Sequence, residues 1–236
     1  IQGYQNVGAV VGSFGTSYNS STSIEDYLED CIIAADVNVY GQSYIGGVAG
    51  FLNYRVSVDN CVNNGQITAN GSVGGVIGDS SNSNFYSEIS NCVNNGAITM
   101  NGNGNIGGIG GGSTGFNFFN CTNNGSIVVN NTAAGNIYVG GIAGSGRVSS
   151  SVNTTMGTIT VANSSSSRTY VGGIVAVAYA YSTSENAVED CNNQATIEVN
   201  HASTEAYVGG VAGSGNVLSC YNIGNITNSM GYTGGV

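Results

Sequence analysis

Apolar residues recur along this chain inside two motifs that alternate in fixed order. One is a Gly-Gly pair flanked by branched apolar residues: Gly46-Gly47-Val48, Gly74-Gly75-Val76, Gly107-Gly108-Ile109, Gly140-Gly141-Ile142, Gly172-Gly173-Ile174 and Gly209-Gly210-Val211. Gly8-Ala9-Val10 precedes them, and Gly234-Gly235-Val236 follows in the same phase. The other is Cys-x-Asn-Asn-Gly-x-Ile or a degenerate copy, clearest at Cys61 to Ile67, Cys92 to Ile98, Cys121 to Ile127 and Cys220 to Ile226. Self-similarity at a period of roughly 20–50 residues marks a stack of repeated units.

Residues six and eight places after the cysteine position read Val37/Val39, Ile67/Ala69, Ile98/Met100, Ile127/Val129, Ile159/Val161, Ile197/Val199 and Ile226/Asn228. Asn153 takes the cysteine position in the repeat that has none. Mostly polar residues such as Asn38, Thr68, Thr99 and Glu198 lie between the members of each pair. This period-two alternation predicts a half-buried strand. The Gly-Gly segments predict a second strand. Ile45, Val73, Ile106, Val139, Val171 and Val208 precede the glycines and Val or Ile follows them, so two apolar positions fall three apart. Such spacing means either a bulge or a strand buried on both faces. A third strand is expected around Leu28, Val58, Ile89, Phe118, Val188 and Val217, three residues before each cysteine.

Three short strands per repeat, without a helical period, predict an all-β parallel β-solenoid, or β-helix, of about seven coils. Intervals between Gly-Gly sites run from 25 residues (Gly209 to Gly234) to 38 (Gly8 to Gly46). The variation falls in Ser/Asn-rich stretches 13–23, 79–87 and 163–169, expected as loops at the coil edges. One repeat domain over 1–236 follows, with equivalent residues roughly 4.8 Å apart on successive coils.

Composition narrows the function classes. Charged residues are 7% of 236, the formal net charge is −10, and Arg55, Arg147 and Arg168 are the only fixed cations. Nucleic acid and anionic membrane surfaces are disfavoured as partners, because both are bound by clustered Lys and Arg. No run of about 18 apolar residues would insert into a bilayer. The chain starts at Ile1 and starts and stops within its motifs without capping elements, so uncapped ends are expected. That predicts a segment of a longer protein or a filament subunit that contacts itself or flanking repeats end to end.

In a stack, residues of equal phase form columns. Cys31, Cys61, Cys92, Cys121, Cys191 and Cys220 share one, and bridging of neighbours as 31–61, 92–121 and 191–220 stands against a column of thiols packed as small hydrophobes. Asn63, Asn94, Asn123 and Asn192, with Asn64, Asn95, Asn124 and Asn193 beside them, suit amide ladders. Tyr44, Tyr138, Tyr170, Tyr207 and Tyr232 lie two places before Gly-Gly. They form either a stripe for sugars or a partner protein, or a packing ladder. Glu29 and Asp59 are the calcium candidate, set against ordinary solvated acids. His201, the only histidine, has no partner that spacing identifies, and no catalytic constellation emerges. Sequons at Asn19, Asn70, Asn120, Asn124, Asn130, Asn153, Asn163 and Asn225 are glycosylation candidates in a secreted glycoprotein. Asn19 and Asn163 are expected to be accessible and Asn153 inward.

Val139-Gly140-Gly141-Ile142-Ala143-Gly144 and Asn91-Cys92-Val93-Asn94-Asn95-Gly96-Ala97-Ile98 together resemble the GLUG-motif repeats, and the likeness covers almost the whole chain. The resemblance implies a secreted or cell-surface, adhesin-like solenoid without catalytic residues. The functional expectation is an extracellular structural or adhesive element of an appendage, filament or large surface protein, meeting other surface proteins or glycans. A carbohydrate-binding module using the tyrosine stripe is the alternative, and a carbohydrate-active β-helix enzyme comes third.

Overall fold

The computed structural model describes residues 1–15, 26–80, 87–112, 115–179, 187–202 and 205–235. Every strand pairing in it is parallel and no helix occurs among these residues. A complete coil contains four or five short strands rather than the three expected, five in the coil of Ser43–Gly46, Ala49–Leu52, Val56–Asp59, Val62–Asn63 and Gln66–Ala69. Equivalent strands stack into sheets of eight, nine, seven and seven strands, plus one of three. A seven-stranded sheet spans six turns of a β-solenoid, close to the predicted coil count. The two strands missed from sequence are two- to four-residue pieces, too short to show an alternation of their own.

Tight corners join the strands. The residue just before the cysteine position is Asp30, Asn60, Asn91, Asn120, Ser150, Asp190 or Ser219, and all seven have φ between 50° and 56°. Short polar side chains tolerate this left-handed conformation better than branched or bulky ones. Asn60 Nδ2 donates to Asp30 Oδ1, and Asn120 Nδ2 to Asn91 Oδ1, both at 2.7 Å. The acidic residues beside the cysteines therefore build a corner.

The apolar positions form two cores, not one. Ile45, Val73, Ile106, Val139, Val171 and Val208, which precede Gly-Gly, pack with Ile67, Ile98, Ile127, Ile159 and Ile197. Val48, Val76, Ile109, Ile142, Ile174 and Val211, which follow it, pack with Val58, Ile89, Phe118 and Cys61, Cys92, Cys121 and Cys191. The three-residue spacing thus spans a corner rather than a bulge or a single two-faced strand: one strand ends at Gly46, Gly47 and Val48 bend, and the next strand starts at Ala49.

Two register assignments differ from expectation. Val39 pairs with Ile67 and Gly41 with Ala69, so the first coil uses Val39/Gly41 instead of Val37/Val39. Asn153 pairs with Asn123 and Asn193, which puts it two places beyond the cysteine column. Ser151 fills that column, and its Oγ accepts from the Cys121 amide at 3.0 Å. Both coils carry two extra residues in the turn before Ile159 or Val39, so a fixed six-residue spacing, taken forward from Cys31 or back from Ile159, misplaced them.

Candidate functional site

Between the two cores runs a waist built from both sequence motifs. Asn63, Asn94, Asn123, Asn153 and Asn193 are fully buried there. Each Nδ2 donates to the Oδ1 of the next coil's asparagine, from Asn63→Asn94 at 2.8 Å through to Asn193→Asn222 at 2.7 Å. Most of these amides also close a local turn: Asn123 Nδ2 donates to the Gly125 carbonyl (2.9 Å) and Asn123 Oδ1 accepts from the Gly125 amide (3.2 Å). The column holds Asn193, not Asn192, which pairs instead with Val152 and Tyr221. A second, outer ladder links Asn95 to Asn64, Asn124 to Asn95 and Thr154 to Asn124.

The opposite wall of the waist is the second glycine of each Gly-Gly pair. A Cβ at Gly75, Gly108 or Gly173 would lie 2.5, 2.4 or 2.3 Å from the Cγ of Asn94, Asn123 or Asn193, and within about 2.1 Å of the next coil's backbone carbonyl. Only a residue without a side chain fits. In the first coil both partners change: Ala9 stands for the second glycine, and Ile33, paired with Asn63, stands for the asparagine.

All six cysteines are thiols in this structure, the second of the two arrangements that the column allows. Each Sγ donates to the carbonyl two residues earlier, as Cys92 does to Ser90 at 3.1 Å. Hydrogen bonding to its neighbour and burial push the Cys61 thiol well above the usual range.

Tyr138, Tyr170, Tyr207 and Tyr232 are in register, with ring centroids 5.3, 4.9 and 5.4 Å apart and planes within 15° of parallel. Tyr170 and Tyr207 have both faces covered by neighbouring rings, and the Tyr138 hydroxyl accepts from Asn136 Nδ2 at 3.2 Å. Beside them Arg168 Nε meets Glu205 Oε2 at 2.7 Å on the exposed surface. Tyr44 is not in this stack. It has φ 59° and packs on Phe51.

Glu29 and Asp59 are side by side in register. Asp59 Oδ1 already accepts from Ser90 Oγ and Asn91 Nδ2, which hold its carboxyl below the usual range. Among the described residues no group of three or more His, Cys, Asp or Glu surrounds a possible cation. Of the sequons, Asn70, Asn120, Asn130 and Asn225 are exposed and Asn124 is part of the outer ladder. Asn19 lies outside the described residues. Asn163, expected in an accessible loop, is buried instead, its amide held between Asn131 and Thr169. Asn153 is inward, as expected.

Two features had little sequence signal. An open groove of ≈ 460 Å³ crosses three coils, lined by Asn130, Thr132, Asn163, Ser164, Asn200 and His201. Ala162 sits in register between Asn130 and Asn200 and makes the notch. His201 continues the inward Asn131–Asn163 column and its Nε2–H donates to the Met230 carbonyl at 2.7 Å. The second feature is Asp79, buried beside Ser80 and Ser72, where desolvation raises its carboxyl to about 7. No protein-family model matches the chain, and neither do curated proteins or solved structures.

Proposed function

We propose that this chain is an extracellular structural or adhesive rod that works through rigid length and a repeated, weakly charged polar surface. The supporting observation is the waist, where an asparagine ladder buried from Asn63 to Asn193 runs along the stack and ties coil to coil. Buried amide networks with their partners in place resist local opening. The GLUG-like motif pair supports a cell-surface setting. Exposed apolar side chains gather on the outer coils (Tyr27 and Ile32 at one end, Tyr221, Ile223 and Tyr232 at the other) and suit contact with further β-structure. That structure would be flanking repeats or a second copy.

Immunogold electron microscopy of source cells tests this reading. Labelling of surface fibres or envelope is the expected result, and label confined to the cytosol would overturn it.

A carbohydrate-binding role is the second reading, and the amide- and hydroxyl-lined groove favours it more than the tyrosines do. Sugars stack on free aromatic faces, and Tyr138, Tyr170 and Tyr207 are engaged with one another. Glycan-array binding lost in Asn130→Ala/Asn200→Ala, but kept in Tyr170→Ala/Tyr207→Ala, would establish the groove as the sugar site.

A further inference from the structure

We propose that Cys191 and Cys220 form a reversible inter-coil disulfide by exchange with a small-molecule disulfide. The column singles out this pair. Ser151 replaces cysteine on the preceding coil, so Cys191 has one cysteine neighbour, whereas Cys61 and Cys92 each have two. Register pairs Asn192 with Tyr221, and the Tyr221 amide donates to the Cys191 carbonyl at 3.1 Å. The two Cα atoms therefore sit at the coil spacing of roughly 4.8 Å, inside the disulfide range of about 4.4–6.8 Å. Asp190 and Ser219, which precede them, share φ 52°, so the two side chains leave identical corners in the same direction.

The sulfur of Cys220 already faces its partner and accepts from the Cys191 amide at 3.2 Å. Bridging needs a closer Cβ approach than strand spacing provides. Leu218, Ser219 and Tyr221 are exposed, so little packing opposes that small movement.

The two thiols divide the chemistry. Cys220 is the more accessible of the two, Cys191 being fully buried, and the side-chain hydrogen bond from Cys191 holds the Cys220 thiol below its usual range. A thiolate is the attacking species in exchange. Cys220 attacks one sulfur of the small disulfide, whose S–S bond breaks and releases one thiolate. Cys191 then gives up its proton and attacks Cys220 Sγ in the mixed disulfide, expelling the second thiolate. Two protein thiols become one disulfide while the small disulfide is reduced to two thiols, and no further oxidant is required. This chemistry is independent of the rod or glycan reading.

The test is timed incubation of the folded chain with oxidised glutathione, followed by denaturing alkylation and peptide mass mapping. A peptide linked through Cys191 and Cys220 is expected, with Cys61, Cys92 and Cys121 still alkylatable. Cys191→Ser should stop at glutathione on Cys220. Serine already occupies this column at position 151, so the fold should survive, as β-sheet circular dichroism would report. A native chain that yields no 191–220 link, or retains glutathione on Cys220 without closing the bridge, would overturn the proposal. The native-chain result decides even if a variant fails to fold.

Discussion

Asp79 and Asn123 show how single side chains carry opposite electrostatic roles in one interior. Asp79 is buried with the Ser80 amide on its Oδ1 at 2.7 Å, and desolvation still dominates, raising its carboxyl from 3.8 to about 7. Its protonated form is favoured in the folded state. Its contribution to stability is therefore greatest below about pH 4, falls as pH rises between about 4 and 7, and levels off above that. Asp79→Asn removes the slope. Urea titration should find the variant more stable at pH 8 by up to roughly 4 kcal/mol and unchanged at pH 3, because each tenfold difference in proton affinity between folded and unfolded chain corresponds to about 1.4 kcal/mol. Asn123 is the reverse case, a neutral amide whose donors and acceptors are met on both neighbouring coils. Asn123→Ala orphans groups on Asn94, Asn153 and Gly125. A loss of at least about 3 kcal/mol in the same titration is expected, since each buried unpaired group costs about 1–3 kcal/mol.

At the level of the element, Gly-Gly is a contact motif more than a turn. The first glycine abuts backbone of its own turn and the adjacent coil, and the second abuts the asparagine of the facing strand. Gly108→Ala would put a methyl 2.1 Å from the Gly141 carbonyl and 2.4 Å from Asn123 Cγ. Gly235, the same motif position, has nothing within 4 Å. Thermal melts should therefore separate the two variants. Gly108→Ala should cost about 3 kcal/mol or more, at or beyond the upper end of the usual overpacking range. Gly235→Ala should stay within about 0.5 kcal/mol of the parent. The strands themselves were legible wherever the apolar alternation lasted three or more residues, as in Ile127–Asn131. Where the element was two residues, as in Val62–Asn63, only the stack defines it, because its backbone hydrogen bonds go to neighbouring coils.

Across the whole molecule the coil spacing turns columns into ladders of different chemistry. Tyrosines at roughly 4.8 Å intervals can only stack face to face, so their stripe stiffens one wall. Replacing Tyr170 by Ala breaks two ring contacts and should lower stability by about 1–3 kcal/mol, since a ring pair contributes about 0.5–1.5 kcal/mol. If the ladder is structural, denaturation should register the loss while any glycan binding persists. The sequence by itself determined the parallel solenoid, its approximate coil number, most of the apolar strand positions and the sorting of most Cys, Asn and Tyr residues into phases. Periodicity is a property of the chain and survives without coordinates. Only the tertiary structure decided that Gly-Gly faces the asparagines, that two cores flank a polar waist, that Ser151 and not Asn153 interrupts the cysteines, and that Asn163 is buried. Those outcomes depend on which wall of a coil meets which. That choice is set by corner geometry and by two-residue insertions that a count along the chain cannot distinguish from a change of register.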